Sequence, residues 1–365
     1  MTEPREATAA ELDDWDRVTV DAPGGHVYQS RPWAEQRRLL GWRPRFVIID
    51  EAHRALVLTR PFPIVGGSSA YVPRGPVADL HEPDAAIAAR TIELARWLGT
   101  QGVDVVAADA ELPIELGGVA DALRAAGFHR IPEIQPSRHR VSLELLDRDE
   151  ARIRAGVARS TRQRIDTAEG SGVVVHRHDT GGWSGGPPLF AGPDRALDEV
   201  LGEFASMLEG TGQRRGFRFG PRDVFIDWWQ AGIAAGHVIH LEARDGDRTL
   251  GGLLLYRHGR RLSTVHSADA PGARDTHPGV MHLLRWRAIQ LAIREARDEM
   301  DLGGVDVGPD HREPVKGDPM AGLYEHKRSF GATWVEMIGA HERVIRPWRY
   351  GLGRLAARAQ RVIRR

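Results

Sequence analysis

Residues 238–268 read VIHLEARDGDRTLGGLLLYRHGRRLSTVHSA, and no other stretch limits the fold so strongly. Three apolar, β-rich runs are separated by RDGD and RHGR, short polar segments whose glycines accept the turn geometry that joins antiparallel strands. The next segment, VMHLLRWRAIQLAIREA, is a long helix, and the short strand EMDLGGV follows it. A meander of this kind exposes one apolar face and must bury it, and the helix behind it supplies the cover.

The first 150 residues repeat the theme in different letters. RFVIID and ALVLTRPF form a hairpin across EAHR, and PDAAIAARTIELARWLGTQG is a helix closed at Gly102. VDVVAAD is a buried strand, VADALRAAGF a helix and RHRVSLELL a further strand. A second unit opens near Asp149 with one basic-faced helix, DEARIRAGVARSTRQRIDTAEGSG, then the strand VVVHRHD. The Gly/Pro loop TGGWSGGPPLFAGP cannot be regular. Helices over DEVLGEFASMLEG and DVFIDWWQAGIAAG lead into the meander. A length of 365 residues suits two domains. The expected fold is therefore α/β (α+β), a duplicated unit with mixed, mostly antiparallel sheets.

Composition removes several functions. The chain has no cysteine, so disulfides, thiolate metal sites and cysteine nucleophiles are excluded. Its 50 basic and 50 acidic residues cancel, so contact with a polyanion must come from a local patch. The N-terminal MTEPREATAAELDDWD is acidic and lacks the apolar core of a signal peptide, and no run approaches the roughly 18 apolar residues of a membrane span. These features read as a cytoplasmic protein. The 16 histidines show no HExxH or comparable spacing on a helix, so no metal site is expected.

Four local features carry chemistry. Asp109 ends the strand VDVVAAD, where clefts form in α/β sheets, although an Asp before ELP also suits a turn. In YVPRGPVAD two prolines frame Arg74 and Gly75, so a rigid extended loop can present Tyr71, Arg74 and Asp79, or can serve as a crossover alone. A loop of the type Q/R-x-x-G-x-G/A would cradle the pyrophosphate of acetyl-coenzyme A at the start of VMHLLRW. Gly279 is present there, but Thr276 and Met281 stand at the flanking positions, and the cradle reads as broken. Lastly, residues 343–365 hold eight arginines and no acid. Leu355, Ala359 and Val362 line one side of that tail helix, which suits an anionic membrane, phosphates or a solubilising terminal helix.

In this order the segments YQSRPWAEQRRLLGW, YVPRGPVAD, STRQRIDTAEGSGV, LLRWRAIQLA with DLGGV, and YEHKRSFGATWVEMIG resemble the Fem family of peptidoglycan bridge-forming aminoacyltransferases (FemABX-like). The resemblance spans nearly the whole chain. It implies two tandem acetyltransferase (GNAT)-like domains, 1–150 completed by 340–365 and 151–339. It also implies an aminoacyl-tRNA donor, no coenzyme A or other cofactor, and action as a monomer. Some members carry a coiled-coil arm; with no sustained heptads between 160 and 250, this chain resembles an armless member.

The family's reaction is attack of an amine on an aminoacyl ester through a tetrahedral oxyanion. Lys327, one of only two lysines in the chain, falls on the lysine of the family's F-K-x-x-F-G motif, with His326 in place of the aromatic and Arg328 after it. His326 and Arg328 are the implied contacts to the tRNA end. Asp109 falls near the family's cleft aspartate, without the customary proline after it (Ala110). Contacts to the peptidoglycan precursor would come from Arg37, Tyr71, Arg74, Asp79, Arg215 and His266, where the family commonly has Lys at the first of these and Tyr at the last. The expected acceptor is a lipid- or nucleotide-linked peptidoglycan precursor, with a small natural-product amine as the alternative. A coenzyme A-dependent N-acetyltransferase, or a silent scaffold, remains a further reading. The Arg-rich tail adds a peripheral contact with the inner membrane face.

Overall fold

The computed structural model describes residues 3–63, 66–180, 189–215 and 220–363; side chains at 214, 215 and from 357 onward lie outside that description. The chain divides into two compact units, Met1–Arg138 with Glu336–Arg365, and His139–Val335.

The first unit begins with β1 (Arg5–Glu6), β2 (Arg43–Ile48), β3 (Arg54–Pro61), β4 (Ser68–Val72), β5 (Val103–Ala108) and β6 (Phe128–Arg130). The hairpin β2–β3 pairs Arg43 with Thr59 through Ile48 with Arg54. β4 and β5 are parallel, and a parallel pair needs a crossover. The helix Asp84–Thr100 provides it, burying Leu94, Ala95 and Leu98 against the sheet and ending before Gly102, whose φ of 87° turns the chain into β5.

The second unit contains β7 (Arg140–Glu144), β8 (Val174–His178), β9 (Val238–Asp245), β10 (Arg248–His258), β11 (Arg261–Asp269), β12 (Glu299–Asp301) and β13 (Thr333–Val335). The meander β9–β10–β11 forms as its turns require. β11 and β12 are the parallel pair here, and the helix Val280–Arg294 crosses between them. Leu283, Leu284, Trp286, Ile289 and Leu291 of that helix are buried in one apolar core. Each such side chain stabilises by about 1.5–3 kcal/mol relative to exposure. The chain then returns to the first unit as β14 (His341–Val344), which inserts between β5 and β6.

The sheet orders are β1-β2-β3-β4-β5-β14-β6 and β13-β7-β12-β11-β10-β9-β8. Each sheet has seven strands and is otherwise antiparallel among its named strands, the mixed architecture expected. Among the described residues the longest helix of the second unit is Leu197–Arg215, 19 residues, and no coiled-coil arm is present.

The structure differs from the sequence reading at three places. RHRVSLELL pairs with β12 and β13, so the chain enters the second unit at His139 and not near 150. The single helix expected from Asp149 is two, Glu150–Gly156 and Arg159–Gly170, broken where the Ala158 N–H donates to Ser329 O at 2.8 Å. TWVEMIG is divided as well: Thr333–Val335 belong to the second sheet, and residues from Glu336 to the first unit.

Candidate functional site

In each unit polar chemistry gathers where the two parallel strands part. In the first, β4 and β5 stay in register to Val72 opposite Ala108, and Asp109 and Arg74 lie just beyond. Arg74 adopts φ 48°, and its backbone N–H donates to Asp109 Oδ1 at 2.7 Å. The Tyr71 hydroxyl donates to Asp109 Oδ2 at 2.8 Å and accepts from Gln135 Nε2 at 2.9 Å. The Arg74 guanidinium stands 3.8 Å from Asp109 and 3.6 Å from Glu111, and donates to Ser137 O. Asp109 is 2% exposed. Burial pushes its carboxyl above the ordinary range, and Arg74, although opposing this, does not reverse it because its charge is shared with Glu111. Burial and the Asp109 charge hold the Tyr71 phenol well above its usual value.

Tyr71, Arg74 and Asp109 thus meet, as their positions on adjacent strand ends allow. Arg37 lies on this unit with its guanidinium 3.8 Å from the centroid of Trp33, which stacks at 4.1 Å on Tyr28, a phenol close enough to Arg74 to act on it electrostatically. Asp79 closes a turn, accepting from the His81 N–H at 3.0 Å. Sequence reasoning missed Gln135, Glu111 and Gln29. Gln29 accepts from Leu56 N at 2.7 Å and donates to Pro73 O at 2.5 Å, which ties the Arg74 loop to β3. A glutamine ending a three-residue 3-10 helix gives no pattern by which to find it.

In the second unit β11 and β12 pair only from Arg261–Glu299 to Ser263–Asp301. Past that point the carbonyls of Gly303 and Gly304 are taken by the Lys327 ammonium, at 2.8 and 3.2 Å. Lys327 sits on the helix Ala321–Arg328 and is 4% exposed, so it is a buried cation and not a surface one. Burial, reinforced by the nearby Arg285 charge, lowers its pKa to about 7 against the pull of Asp301 and Asp306.

Next to it lies a cleft of about 930 Å³, lined among others by Arg164, Gly279, Met281, His282, Arg285 and His326. Gly279 begins the crossover helix with φ 98°. A Cβ there would lie 2.1 Å from Arg164 O, so its backbone presses on the helix Arg159–Gly170. Arg285 is 3% exposed. Its Nε donates to His326 Nε2 at 2.8 Å, while its Nη1 is buried with no hydrogen-bond partner among the described residues. Because His326 Nε2 accepts, the neutral ring carries its proton on Nδ1 and donates to His282 Nε2, 3.2 Å away. Burial and neighbouring cations push His326 far down and His282 to about 4. Arg328 lines an adjoining hollow of about 560 Å³ that shares Arg164, His282 and His326. His266, opposite Leu254 of β10 and past the end of the β11–β12 pairing, packs against Trp229 and Phe225, and burial lowers its pKa to about 4. The Arg215 side chain lies outside the described residues. Arg285 escaped the sequence reading because its helix is buried on nearly all sides, leaving no polar face to mark an exception. Among the described residues no group of His, Cys, Asp or Glu could hold a metal ion.

Residues 156–328 match the acetyltransferase (GNAT) domain family model. Among solved structures, the chain is similar to FemX, with a TM-score of 0.77 and 17% identity, covering 96% of this chain and 99% of that one. It is also similar to L-PGS from Bacillus licheniformis (TM-score 0.54, 11% identity, 97% and 98% covered). A conserved protein of unknown function from Bacteroides thetaiotaomicron is similar too (TM-score 0.57, 12% identity, 94% and 99% covered). No curated protein matches by sequence. These likenesses establish the fold: two GNAT-like halves in tandem, arranged along the chain as in FemX.

Proposed function

We propose, from the fold shared with FemX and the GNAT-type match of the second unit, that this protein is an aminoacyltransferase that uses aminoacyl-tRNA. Its acceptor in this reading is the side-chain amine of a peptidoglycan precursor. The observation that carries the reading is Arg285. A guanidinium buried without a carboxylate is costly, and is retained where an anionic ligand completes its pairing. Phosphates in this cleft would be held by side chains, since the Gly279 backbone is pressed against Arg164 and Met281 stands where a small residue would open a pyrophosphate cradle. That favours the end of a tRNA over coenzyme A.

In the reaction, the acceptor nitrogen attacks the aminoacyl ester carbonyl, forming a C–N bond, and the C–O bond to the tRNA ribose breaks. The attacking ammonium must first lose a proton, and Asp109, with its raised pKa and oriented by Tyr71 and the Arg74 N–H, is assigned as the acceptor of that proton. The nitrogen gives up a second proton as the amide forms, and the ribose oxygen takes it on leaving. Lys327 is assigned as the charge that holds the Gly303–Gly304 segment and strengthens the field of the cleft. Its compact ammonium reaches two adjacent carbonyls that a planar guanidinium would overfill.

The test is incubation of the protein with a mixed pool of charged tRNAs and a muropeptide precursor, followed by mass spectrometry. A mass increase equal to one aminoacyl residue supports the reading and names the amino acid. A product with acetyl-coenzyme A and none with charged tRNA overturns it. Transfer only to a small amine other than the precursor would assign the protein to natural-product amidation.

A further inference from the structure

The chain's last helix is Pro347–Ile363, and over its described side chains, up to Ala356, it is fastened along one side and exposed along another. The Ile345 and Arg346 N–H groups donate to Asp104 O, and the Arg346 guanidinium reaches Asp104 Oδ1 at 3.1 Å and Gly99 O at 2.9 Å. Farther along, Tyr350 donates to Glu342 at 3.1 Å, and Gly353 lies so close to the Phe62 ring that a Cβ would meet it at 2.5 Å. These contacts hold the helix against the first unit by its Arg346, Tyr350 and Gly353 side. The other side carries Trp348, Leu352 and Leu355, which are 64, 46 and 62% exposed. Their spacing of i, i+4 and i+7 places all three in one stripe. Single exposed leucines are ordinary, but a continuous apolar stripe on a tethered helix marks a binding face.

Charge identifies the occupant. Arg349 flanks the stripe with its guanidinium 5.2 Å from the Trp348 ring centroid, and Arg354 lies on the opposite flank over Tyr350. From 343 to 365 the sequence has eight arginines and no acid. An apolar stripe ending in an aromatic and flanked by guanidinium groups matches an anionic phospholipid surface, where acyl chains take the leucines and headgroup phosphates the arginines. A nucleic acid would use the arginines and leave the leucines in water. We propose that this helix docks the protein on anionic membranes through Trp348, Leu352 and Leu355. No helix among the described residues is long and apolar enough to cross a membrane, so the contact is interfacial. The inference rests on the helix surface and is independent of the acyl-transfer reading.

The test is co-sedimentation of the full chain with phosphatidylcholine vesicles, with and without phosphatidylglycerol. Binding is expected to the anionic vesicles alone and to weaken with salt. The triple variant W348S/L352S/L355S should lower it at least about tenfold with an unchanged Tm, because all three side chains are solvent-exposed. Brominated acyl chains should quench fluorescence of the native chain but much less that of Trp348→Phe, which still binds. Equal binding by the triple variant, binding to RNA that is indifferent to the three substitutions, or a solution dimer that the triple variant dissolves would each overturn the proposal.

Discussion

Tyr71 and Asp109, 38 residues apart in the chain, meet through a hydrogen bond of 2.8 Å at the point where β4 and β5 separate. The phenol donates, so it stabilises the carboxylate against a burial that favours the acid form. Removing it in Tyr71→Phe raises the Asp109 pKa further. The acidic limb of kcat/KM is therefore expected to move to higher pH, with activity at the optimum reduced by less than about tenfold. Asp109→Asn should lower transfer by about 10²–10⁴-fold. An unshifted acidic limb in Tyr71→Phe would remove Asp109 from the proton transfer.

Lys327 gives the second prediction. Its pKa of about 7 means that the charge is lost as the pH rises through neutrality. Transfer that depends on the ammonium should fall above about pH 7, and a pH profile of kcat/KM measures this. Lys327→Met and Lys327→Arg are both expected to lose at least about a hundredfold, the first for want of charge and the second because a fork of donors does not fit two adjacent carbonyls. Full activity in Lys327→Arg would reduce the residue to a structural cation.

Arg285→Met tests the cleft. It removes a buried guanidinium with an unpartnered Nη1 and also the donor to His326. The two effects oppose, and relief of the desolvated charge is the larger, so thermal stability should rise by about 1 kcal/mol. The apparent KM for charged tRNA should rise at least about tenfold as kcat changes less. A variant less stable than the native chain, with unaltered KM, would mean that Arg285 serves packing alone.

Acid should unfold this protein early. His240 is buried against Phe204, with its ring centroid 4.6 Å away and Nδ1 unpartnered, and burial lowers its pKa to about 3. His266 and His282 are lowered to about 4. The unfolded chain takes up these protons first, near pH 6.5, so stability is full above that value and declines as the pH falls toward the folded pKa values. Between pH 7 and 5 each of these histidines contributes a loss of about 2 kcal/mol. His240→Leu is expected to flatten the dependence of Tm on pH by that one share, and an unchanged slope would refute the assignment.

By itself the sequence determined the architecture. Turns at RDGD and RHGR allow only a meander, and alternating apolar strands and long helices require two α/β layers. The same local chemistry ended the helix Asp84–Thr100 just before Gly102. Candidate residues at strand ends, Tyr71, Arg74 and Asp109, were legible because a strand's last residue points toward the fork that a parallel pair must open. Only the tertiary structure decided the rest. Whether RHRVSLELL belongs to the first or second unit depends on which strand it pairs with, and both neighbours, β12 and β13, come more than 150 residues later in the chain. The burial of Lys327 against Gly303 and Gly304, and of Arg285 against His326, is a property of desolvation. Desolvation arises from atoms brought close by folding, and no local spacing of letters encodes it.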